Sequence, residues 1–180
     1  MVLSALEAAG ARATFFMVGA NVRRYPALVR RVRDQGHAIG VHTMSHRHAW
    51  LATPARLRWE MRECLRTIVE VAEARPLWFR PPYGSFNLLT QRTAAAQGLR
   101  IALWSCDAGD WLPGASGALI RRRVLAGLEP GAVIDLHDGG QTPKGCWAMA
   151  RSLPEILEAA SRMGLRGVHL GELFGLPAME

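Results

Sequence analysis

The segment GHAIGVHTMSH, residues 36–46, combines a short buried strand with two histidines that follow it. His37–His42 is mostly apolar and opens after a glycine, as expected for a parallel strand that is covered on both faces. His42 ends this strand, and His46 lies four residues further along the chain. If the loop winds into a helical turn, residues i and i+4 share a face, and both imidazoles can reach one ion. Neutral imidazoles favour zinc or a similar divalent metal, although such a pair also occurs without any metal.

Short apolar runs alternate with helical patterns on both sides of this segment. The runs predicted as strands are Ala13–Gly19, His37–His42, Leu77–Arg80, Arg100–Cys106, Ala132–His137 and Leu165–Leu170. The segments predicted as helices are Val2–Ala9, Tyr25–Gln35, Pro54–Ala74, Asn87–Gln97, Ser116–Leu128 and Trp147–Met163. Repeated β-α-β units predict an α/β fold with a parallel sheet, either open or closed into a barrel. We expect residues 1–180 to form a single domain.

The longest predicted helix, Pro54–Ala74, has the clearest pattern. Thr53 is a suitable N-cap, and Pro54 occupies the first helical position. Apolar residues recur there at steps of three and four and predict a face that packs on the core. These residues are Leu57, Met61, Leu65, Ile68 and Ala72.

Composition excludes several classes of protein. The 180 residues are 49% hydrophobic and 21% charged, which excludes a disordered or collagen-like chain. No apolar run approaches the roughly 20 residues of a membrane span, and Met1–Gly10 lacks the pattern of a secretory signal. Cys64, Cys106 and Cys146 fit neither a disulfide framework nor a CxxC metal pattern. We expect a cytoplasmic protein if the chain is complete, and a cell-envelope or secreted protein if an N-terminal segment is missing.

The formal net charge is +7, and Lys144 is the sole lysine among 22 basic residues. An arginine-based surface of this kind can bind an anionic polymer, including nucleic acid. Compositional bias and solvated helix faces explain the same numbers. Since no interleaved aromatic residues or reading motif accompany the arginines, we expect no nucleic-acid partner.

Arg80-Pro81-Pro82-Tyr83-Gly84 follows the third predicted strand. Its two prolines stiffen the backbone and restrict the residues before them. Such a loop can hold a guanidinium and a backbone N–H in fixed positions, as the stabilisation of an oxyanion requires. The alternative is a rigid turn whose arginine pairs with a nearby carboxylate.

Polar residues also follow the fourth and fifth predicted strands. Asp107-Ala108-Gly109-Asp110-Trp111 offers two acids and an aromatic ring, and Leu136-His137-Asp138 places a histidine at a strand end. An aspartate can orient a histidine, a tryptophan can form a wall against a sugar ring, and histidine is a natural general acid. Each motif taken alone is also compatible with a capped loop.

These motifs share a position in the predicted fold, because each lies at the carboxyl end of a strand. In parallel α/β folds the loops at these ends build the active site. We therefore expect His42, His46, Arg80 and His137 to gather around one pocket.

Taken in order, the motifs resemble those of the polysaccharide deacetylase family, also called the NodB-homology domain or carbohydrate esterase family four. The similarity runs through ATFFMVG (13–19), GHAIGVHTMSH (36–46), RPPYG (80–84), DAGDW (107–111) and LHD (136–138). It covers essentially the whole chain. The resemblance implies a distorted (β/α) barrel of the seven-stranded type, and deacetylation of an N-acetylated glycan as the activity.

The resemblance also implies roles for individual residues. His42 and His46 would bind a divalent metal, commonly zinc. The backbone N–H of Tyr83 would stabilise the oxyanion, His137 would protonate the leaving amine, and Asp110 would orient His137. Arg80 would position the catalytic base, and Trp111 and Leu136 would line the sugar pocket.

One motif of the family has no match in the sequence. A TFDDGP-like segment at the end of the family's first strand supplies the base aspartate and a third metal ligand, yet the earliest of the five aspartates here is Asp34. The first predicted helix, Val2–Ala9, also lacks a preceding strand. We expect the chain to be N-terminally truncated, either as a fragment or through a misplaced start, or else to be a shortened, inactive homologue.

Two other functions remain open at this point. A silent carbohydrate-binding homologue would keep the sugar groove formed by Trp111 and Leu136 without chemistry. An amidase acting on a small or cyclic amide would use the same site geometry on another substrate. The oligomeric state does not follow from the sequence.

Overall fold

The computed structural model describes residues 1–48, 52–139 and 143–180, which form an α/β fold of short parallel strands and helices. The helices in these ranges are α1 (Val2–Ala8), α2 (Gly19–Arg24), α3 (Pro26–Asp34), α4 (Pro54–Ala72), α5 (Leu88–Ala95), α6 (Gly117–Ala126), α7 (Pro143–Arg162) and α8 (Leu170–Leu173). The strands are β1 (Thr14–Met17), β2 (Ala38–Val41), β3 (Trp78–Phe79), β4 (Arg100–Ile101), β5 (Cys106–Asp107) and β6 (Ile134–Asp135). The predicted fold class is therefore confirmed at the level of parallel α/β structure.

The chain divides into two compact units. The larger unit consists of residues 13–103 and 169–180, and the smaller unit of residues 1–12 and 104–168. That the whole chain is one domain stays a prediction. No helix in the described ranges has the length and apolar character needed to cross a membrane.

The larger unit contains a four-stranded parallel sheet in the order β1-β2-β3-β4. β1 and β2 pair along their whole length, from Thr14 opposite Ala38 to Met17 opposite Val41. Val41 also lies opposite Phe79 of β3, so β2 is a central strand. All four residues of β2 are buried, which is the pattern of a parallel strand covered on both faces.

Helix α4 covers this sheet with the predicted apolar face. It packs on β2 and on helices α2 and α3. The side chains of its five predicted core residues are buried, as are Cys64 and Glu60. The predicted N-cap is also confirmed, because the Thr53 hydroxyl accepts a hydrogen bond from the backbone N–H of Arg56 at 3.2 Å.

The smaller unit contains the parallel pair β5-β6, in which Asp107 lies opposite Asp135. Helix α7 packs on both α1 and α6. The Ser116 side chain is the N-cap of α6 and accepts a hydrogen bond from the backbone N–H of Leu119. Gly127 ends α6 against the side chain of Cys106, where a Cβ atom would come within 2.6 Å of the sulfur.

The prediction of one strand over Arg100–Cys106 is wrong. The segment contributes β4 to the sheet of the larger unit and only the first residue of β5 to the pair in the smaller unit. The backbone N–H of Ala102 donates to Phe79, whereas that of Ser105 donates to Val133. The chain leaves one set of hydrogen-bond partners and joins another between these residues, so no single ladder spans the run.

The predicted strand Leu165–Leu170 is also absent from the described residues. His169 instead begins helix α8, where its Nδ1 accepts a hydrogen bond from the backbone N–H of Glu172 at 3.0 Å. The backbone N–H of Leu170 donates to the hydroxyl of Thr14 rather than to a strand. Hydrogen bonds from the backbone to the side chains of His169 and Thr14 therefore take the place of strand pairing at the end of the segment 165–170.

Gly40 is a site where close packing decides stability. A Cβ atom at Gly40 would lie 2.5 Å from the ring of Phe16 on the neighbouring strand. We expect Gly40→Ala to lower the free energy of unfolding by about 1–3 kcal/mol, because the core would be overpacked. Urea unfolding measures this change. Gly139→Ala is the matched control, since nothing lies within 4 Å of a Cβ there, and an equal loss in both variants would contradict the prediction.

Candidate active site

The loop after β2 places the two predicted metal ligands side by side. The ring centroids of His42 and His46 are 4.8 Å apart, with an angle of 64° between the ring planes. His42 Nδ1 lies 2.7 Å from the carbonyl oxygen of Arg80. Because a carbonyl only accepts, Nδ1 must donate, and Nε2 is then the nitrogen that carries the lone pair. A backbone carbonyl on the second nitrogen is a common way to orient a metal-binding imidazole.

A buried carboxylate, Glu60 of α4, holds this loop. Its Oε2 accepts hydrogen bonds from the backbone N–H groups of Met44 and Ser45 at 2.9 and 2.8 Å. Its Oε1 accepts from the Ser45 hydroxyl at 2.6 Å and from the Arg56 guanidinium at 2.8 Å. Glu60 is 3% exposed. Burial alone would raise the pKa of Glu60, but the hydrogen bonds from Ser45 and Arg56 outweigh it and lower that pKa.

The backbone of the loop is strained at two positions. Thr43 and His46 have φ angles of 63° and 55°, in the left-handed region that L-residues seldom adopt. Each such residue costs of the order of 1–3 kcal/mol, and the conformation persists because surrounding contacts fix it. The hydroxyl of Thr43 accepts from the backbone N–H of His46 at 3.0 Å, and Glu60 holds the residues between them.

The RPPYG loop supports the same histidines. Tyr83 lies in a 3-10 turn, Pro82–Gly84, with φ 61° and ψ 17°. Its ring stacks on His48 at a centroid distance of 3.7 Å and meets His46 edge-on at 4.9 Å. His48 had no predicted role, because no spacing rule links it to a residue 35 positions away. The structure therefore places His48 beside the predicted site residues, in contact with Tyr83.

The Arg80 guanidinium is buried at the end of β3. Its Nε and Nη2 donate to the carbonyls of Ala102 and Leu103 at 3.3 and 3.1 Å. The guanidinium carbon also lies 4.3 Å from the centre of the Phe16 ring. These contacts give Arg80 a fixed place next to His42, to which it is linked through its own carbonyl.

A cavity of about 330 Å³ adjoins the histidine loop in the larger unit. This volume falls within the roughly 300–1,000 Å³ of typical ligand pockets. Its described walls are Thr43, His46, Arg47, His48, Ala52, Arg56, Leu57, Glu60 and Tyr83.

In the smaller unit, Asp110 and His137 form a hydrogen-bonded pair. Asp110 Oδ1 lies 2.8 Å from His137 Nδ1, and Oδ2 accepts from the backbone N–H of His137 at 2.6 Å. Asp110 is 1% exposed. The hydrogen bond from Asp110 raises the pKa of His137, although partial burial of the imidazole opposes the rise. This pairing favours the protonated ring that a general acid needs.

Asp107 positions the tryptophan of the same loop. Its carboxylate accepts from the Trp111 Nε1–H at 3.1 Å and from the Gly109 backbone N–H at 2.7 Å. The Trp111 side chain is 49% exposed, so a large apolar surface faces solvent while its polar edge is fixed. Leu136 is half-buried between Asp135 and His137.

The structure thus assembles the predicted residues into two groups. His42, His46, Arg80 and Tyr83 lie together in the larger unit. Asp110 and His137 lie together in the smaller unit. That all of them share one pocket stays a prediction.

The paired imidazoles fit a divalent metal as two nitrogen ligands. Their side-by-side rings and the fixed tautomer of His42 match the donor chemistry of zinc. Within residues 1–48, 52–139 and 143–180, no cluster of three or more His, Cys, Asp or Glu side chains could hold a metal ion. The paired imidazoles would therefore supply two protein ligands, one fewer than an open catalytic zinc site usually has.

Comparison with protein families identifies the class of this fold and site. The family model for polysaccharide deacetylase matches residues 1–102. A peptidoglycan-N-acetylglucosamine deacetylase of Bacillus cereus is 36% identical over 176 residues, covering 96% of this chain and 79% of the relative. A chitooligosaccharide deacetylase of a Bradyrhizobium species is 37% identical over 140 residues, covering 77% of this chain and 63% of the relative. The chain belongs to the polysaccharide deacetylase family.

Solved structures support the same assignment. The family 4 carbohydrate esterase from Streptomyces lividans, in complex with acetate, has a TM-score of 0.83 and 31% identity, covering 92% of this chain and 82% of that one. The peptidoglycan N-acetylglucosamine deacetylase Bc1960 has a TM-score of 0.92 and 29% identity, covering 99% and 82%. The predicted (β/α) barrel class is confirmed by these likenesses. Some relatives are much longer, since the chain spans 35% of a Listeria monocytogenes deacetylase.

The hydrogen bonds by which Glu60 holds the histidine loop, called here the Glu60 anchor, can be tested by stability measurements alone. We expect Glu60→Gln to lower the free energy of unfolding by about 1–3 kcal/mol at pH 7, because buried N–H and O–H donors lose a charged acceptor. Since the pKa of Glu60 is lowered in the folded state, its stabilising contribution is present above the unfolded value of about 4.3 and is lost as pH falls through the folded pKa. Urea unfolding between pH 7 and pH 3 measures both effects.

Glu70→Gln is the control for this measurement. Glu70 lies on the same helix, its side chain is 53% exposed, and it pairs with Arg66 at the surface. We expect little change in stability from this substitution. The anchor would be refuted if the two variants behaved alike, or if the stability gap of Glu60→Gln did not narrow at low pH.

Proposed function

We propose that this protein is a metal-dependent hydrolase that removes the acetyl group from N-acetylated sugars in a polysaccharide or oligosaccharide. Family membership supports the class of reaction. The relatives named for peptidoglycan-N-acetylglucosamine and for chitooligosaccharides support a glycan substrate. The observation that carries the proposal is the pair His42 and His46, held together at the end of β2.

We propose zinc as the metal and His42 and His46 as its ligands in this chain. The carbonyl of Arg80 fixes the His42 tautomer and leaves Nε2 for the metal. When bound, the metal supplies Lewis acidity toward the acetamido carbonyl. The strained turn at Tyr83 holds a backbone N–H that would donate to the oxygen on which negative charge develops.

His137 is the proposed general acid. In the reaction, water adds to the acetamido carbon and loses one proton to a base, the C–N bond breaks, and the amine nitrogen takes a proton from Nε2 of His137. Asp110 holds Nδ1–H, and therefore leaves Nε2 as the nitrogen that would donate the proton. Trp111 and Leu136 would contact the sugar. Arg80 would orient the carboxylate base that the TFDDGP-like segment supplies in the family. Acetate and a free amino sugar are the products.

A second candidate function, glycan binding without hydrolysis, is favoured by one exposed aromatic side chain. Trp111, with its exposed ring and fixed indole nitrogen, would serve glycan binding without hydrolysis equally well. The two functions differ in one product, since only the hydrolase releases acetate.

Acetate release from chitooligosaccharides and peptidoglycan fragments, with zinc supplied, tests the proposal. We expect Asp110→Asn to lower kcat by about 10²–10⁴-fold, the usual contribution of a positioned general acid. Asp34→Asn is the matched control and should leave kcat unchanged, because Asp34 is an exposed residue of α3 that pairs with Arg33.

Three outcomes of these assays would each contradict the proposed deacetylase. Binding of oligosaccharides with no acetate released would establish the silent homologue. Release of acid from small or cyclic amides, and not from glycans, would establish the amidase. Equal rates for Asp110→Asn and the native chain would contradict a general acid that depends on the Asp110–His137 hydrogen bond.

A further inference from the structure

Asp135 is a buried acid in an otherwise apolar strand. It occupies β6, within the run Ala132-Val133-Ile134-Asp135-Leu136, and its side chain is 8% exposed. An acid at such a position is rarely buried without a partner. Residues two apart on an extended chain point to the same side, and His137 is two residues beyond Asp135.

Two carboxylates flank the imidazole of His137. Asp110 Oδ1 lies 2.8 Å from Nδ1, and Asp135 Oδ2 lies 3.7 Å from Nε2. The first distance is that of a hydrogen bond, whereas the second exceeds hydrogen-bond range and leaves a Coulombic contact. The two acids therefore act on opposite nitrogens of one ring.

We propose that Asp135 is a second positioning residue for His137, which acts at Nε2 while Asp110 acts at Nδ1. The assignment rests on the proposed function in one respect, namely that Nε2 is the nitrogen that donates the proton. The two distances at His137 do not depend on that function.

The two carboxylates have different effects on the ring. Asp110 accepts from Nδ1–H whether the imidazole is neutral or protonated. In the neutral ring, Nε2 carries a lone pair that faces the Asp135 carboxylate, which is unfavourable. Protonation replaces this repulsion with attraction between N–H⁺ and O⁻. Both carboxylates thus favour the acid form of His137: Asp110 through a hydrogen bond that also fixes the ring orientation, and Asp135 through its charge alone.

The pKa of His137 agrees with this arrangement. The Asp110 hydrogen bond raises it most, partial burial opposes the rise, and the charges of Asp110, Asp135 and Asp107 raise it further. A higher pKa keeps the general acid protonated to higher pH. Removal of the Asp135 charge should therefore lower the pKa of His137.

Other charged groups surround the pair. Asp107 lies opposite Asp135 in the strand register, and its carboxylate is engaged by Gly109 and Trp111. Asp138 follows His137, and its charge interacts with both His137 and Asp110; burial raises the pKa of Asp138. From α6, the guanidinium of Arg123 packs against Gly109. From α7, the thiol of Cys146 interacts with Asp110 and Asp138, and its pKa is raised, first by burial and then by these charges.

The test is an NMR pH titration of the imidazole of His137 in the whole chain, without glycan. The signals of the six histidines are assigned with His137→Gln. We expect Asp135→Asn to give a lower pKa for His137 than the native chain. Asp135→Glu keeps the charge and should restore the pKa toward the native value.

Asp34→Asn controls for the loss of one negative charge far from His137 in sequence, and should leave the titration unchanged. If Asp135→Asn fails to fold, Asp135→Ser removes the same charge with a smaller side chain. An unchanged pKa of His137 in the folded variant, or an equal drop in Asp34→Asn, would overturn the assignment.

Activity supplies a second, separable readout. In the native enzyme kcat/KM should fall as pH rises through the pKa of His137, and Asp135→Asn should move this alkaline limb to lower pH. An inactive chain would refute the proposed function and leave the NMR titration valid. An unshifted limb in an active enzyme would refute the role of Asp135.

Discussion

The carboxylate of Glu60 is the constraint on which the histidine loop depends. Residues 43–46 include two left-handed positions and backbone N–H groups whose acceptor is Glu60 rather than a sheet or helix. Glu60 in turn is placed by the apolar face of α4, where Leu57 and Cys64 lie one turn away on either side and are buried. The spacing of His42 and His46 therefore follows from the packing of a helix on a central strand. A buried charge, fully hydrogen-bonded, is well suited to hold a strained loop because leaving it unpaired would be costly.

His42 and His137 share one hydrogen-bond arrangement at Nδ1, but the accepting oxygen is neutral in one case and negatively charged in the other. In each histidine, an oxygen held in place by the fold accepts from Nδ1, so that Nε2 is the nitrogen with no bond to this oxygen. For His42 that oxygen is the neutral carbonyl of Arg80, an arrangement that suits the metal-ligand role proposed for this residue. For His137 it is the carboxylate of Asp110, which favours the protonated ring and hence a proton donor. The two histidines, which have different proposed roles, therefore differ in the charge of the group that accepts from Nδ1.

Strand ends were predictable because polar residues there interrupt apolar runs. This rule located His42, Arg80 and His137, and the order of the motifs indicated the family. Glu60 was missed because its contacts to Met44 and Ser45 join residues 15 and 16 positions apart, although an acid on the apolar face of α4 was a visible signal. Asp135 was visible in the same way, as an acid within the apolar run of strand β6. The split of the run 100–106 could not be predicted, since apolar periodicity does not reveal which sheet a strand joins.

The most direct test of the account is calorimetric titration of the whole chain with Zn²⁺. We expect one ion bound per chain. The affinity should fall by at least about 100-fold in both His42→Ala and His46→Ala, because loss of a ligand should exceed the 10–100-fold cost of losing a supporting contact. His137→Gln, which removes a histidine outside the pair, should bind Zn²⁺ as the native chain does. No saturable binding by the native chain, or equal affinities in all four proteins, would contradict the claim that this loop is a metal site.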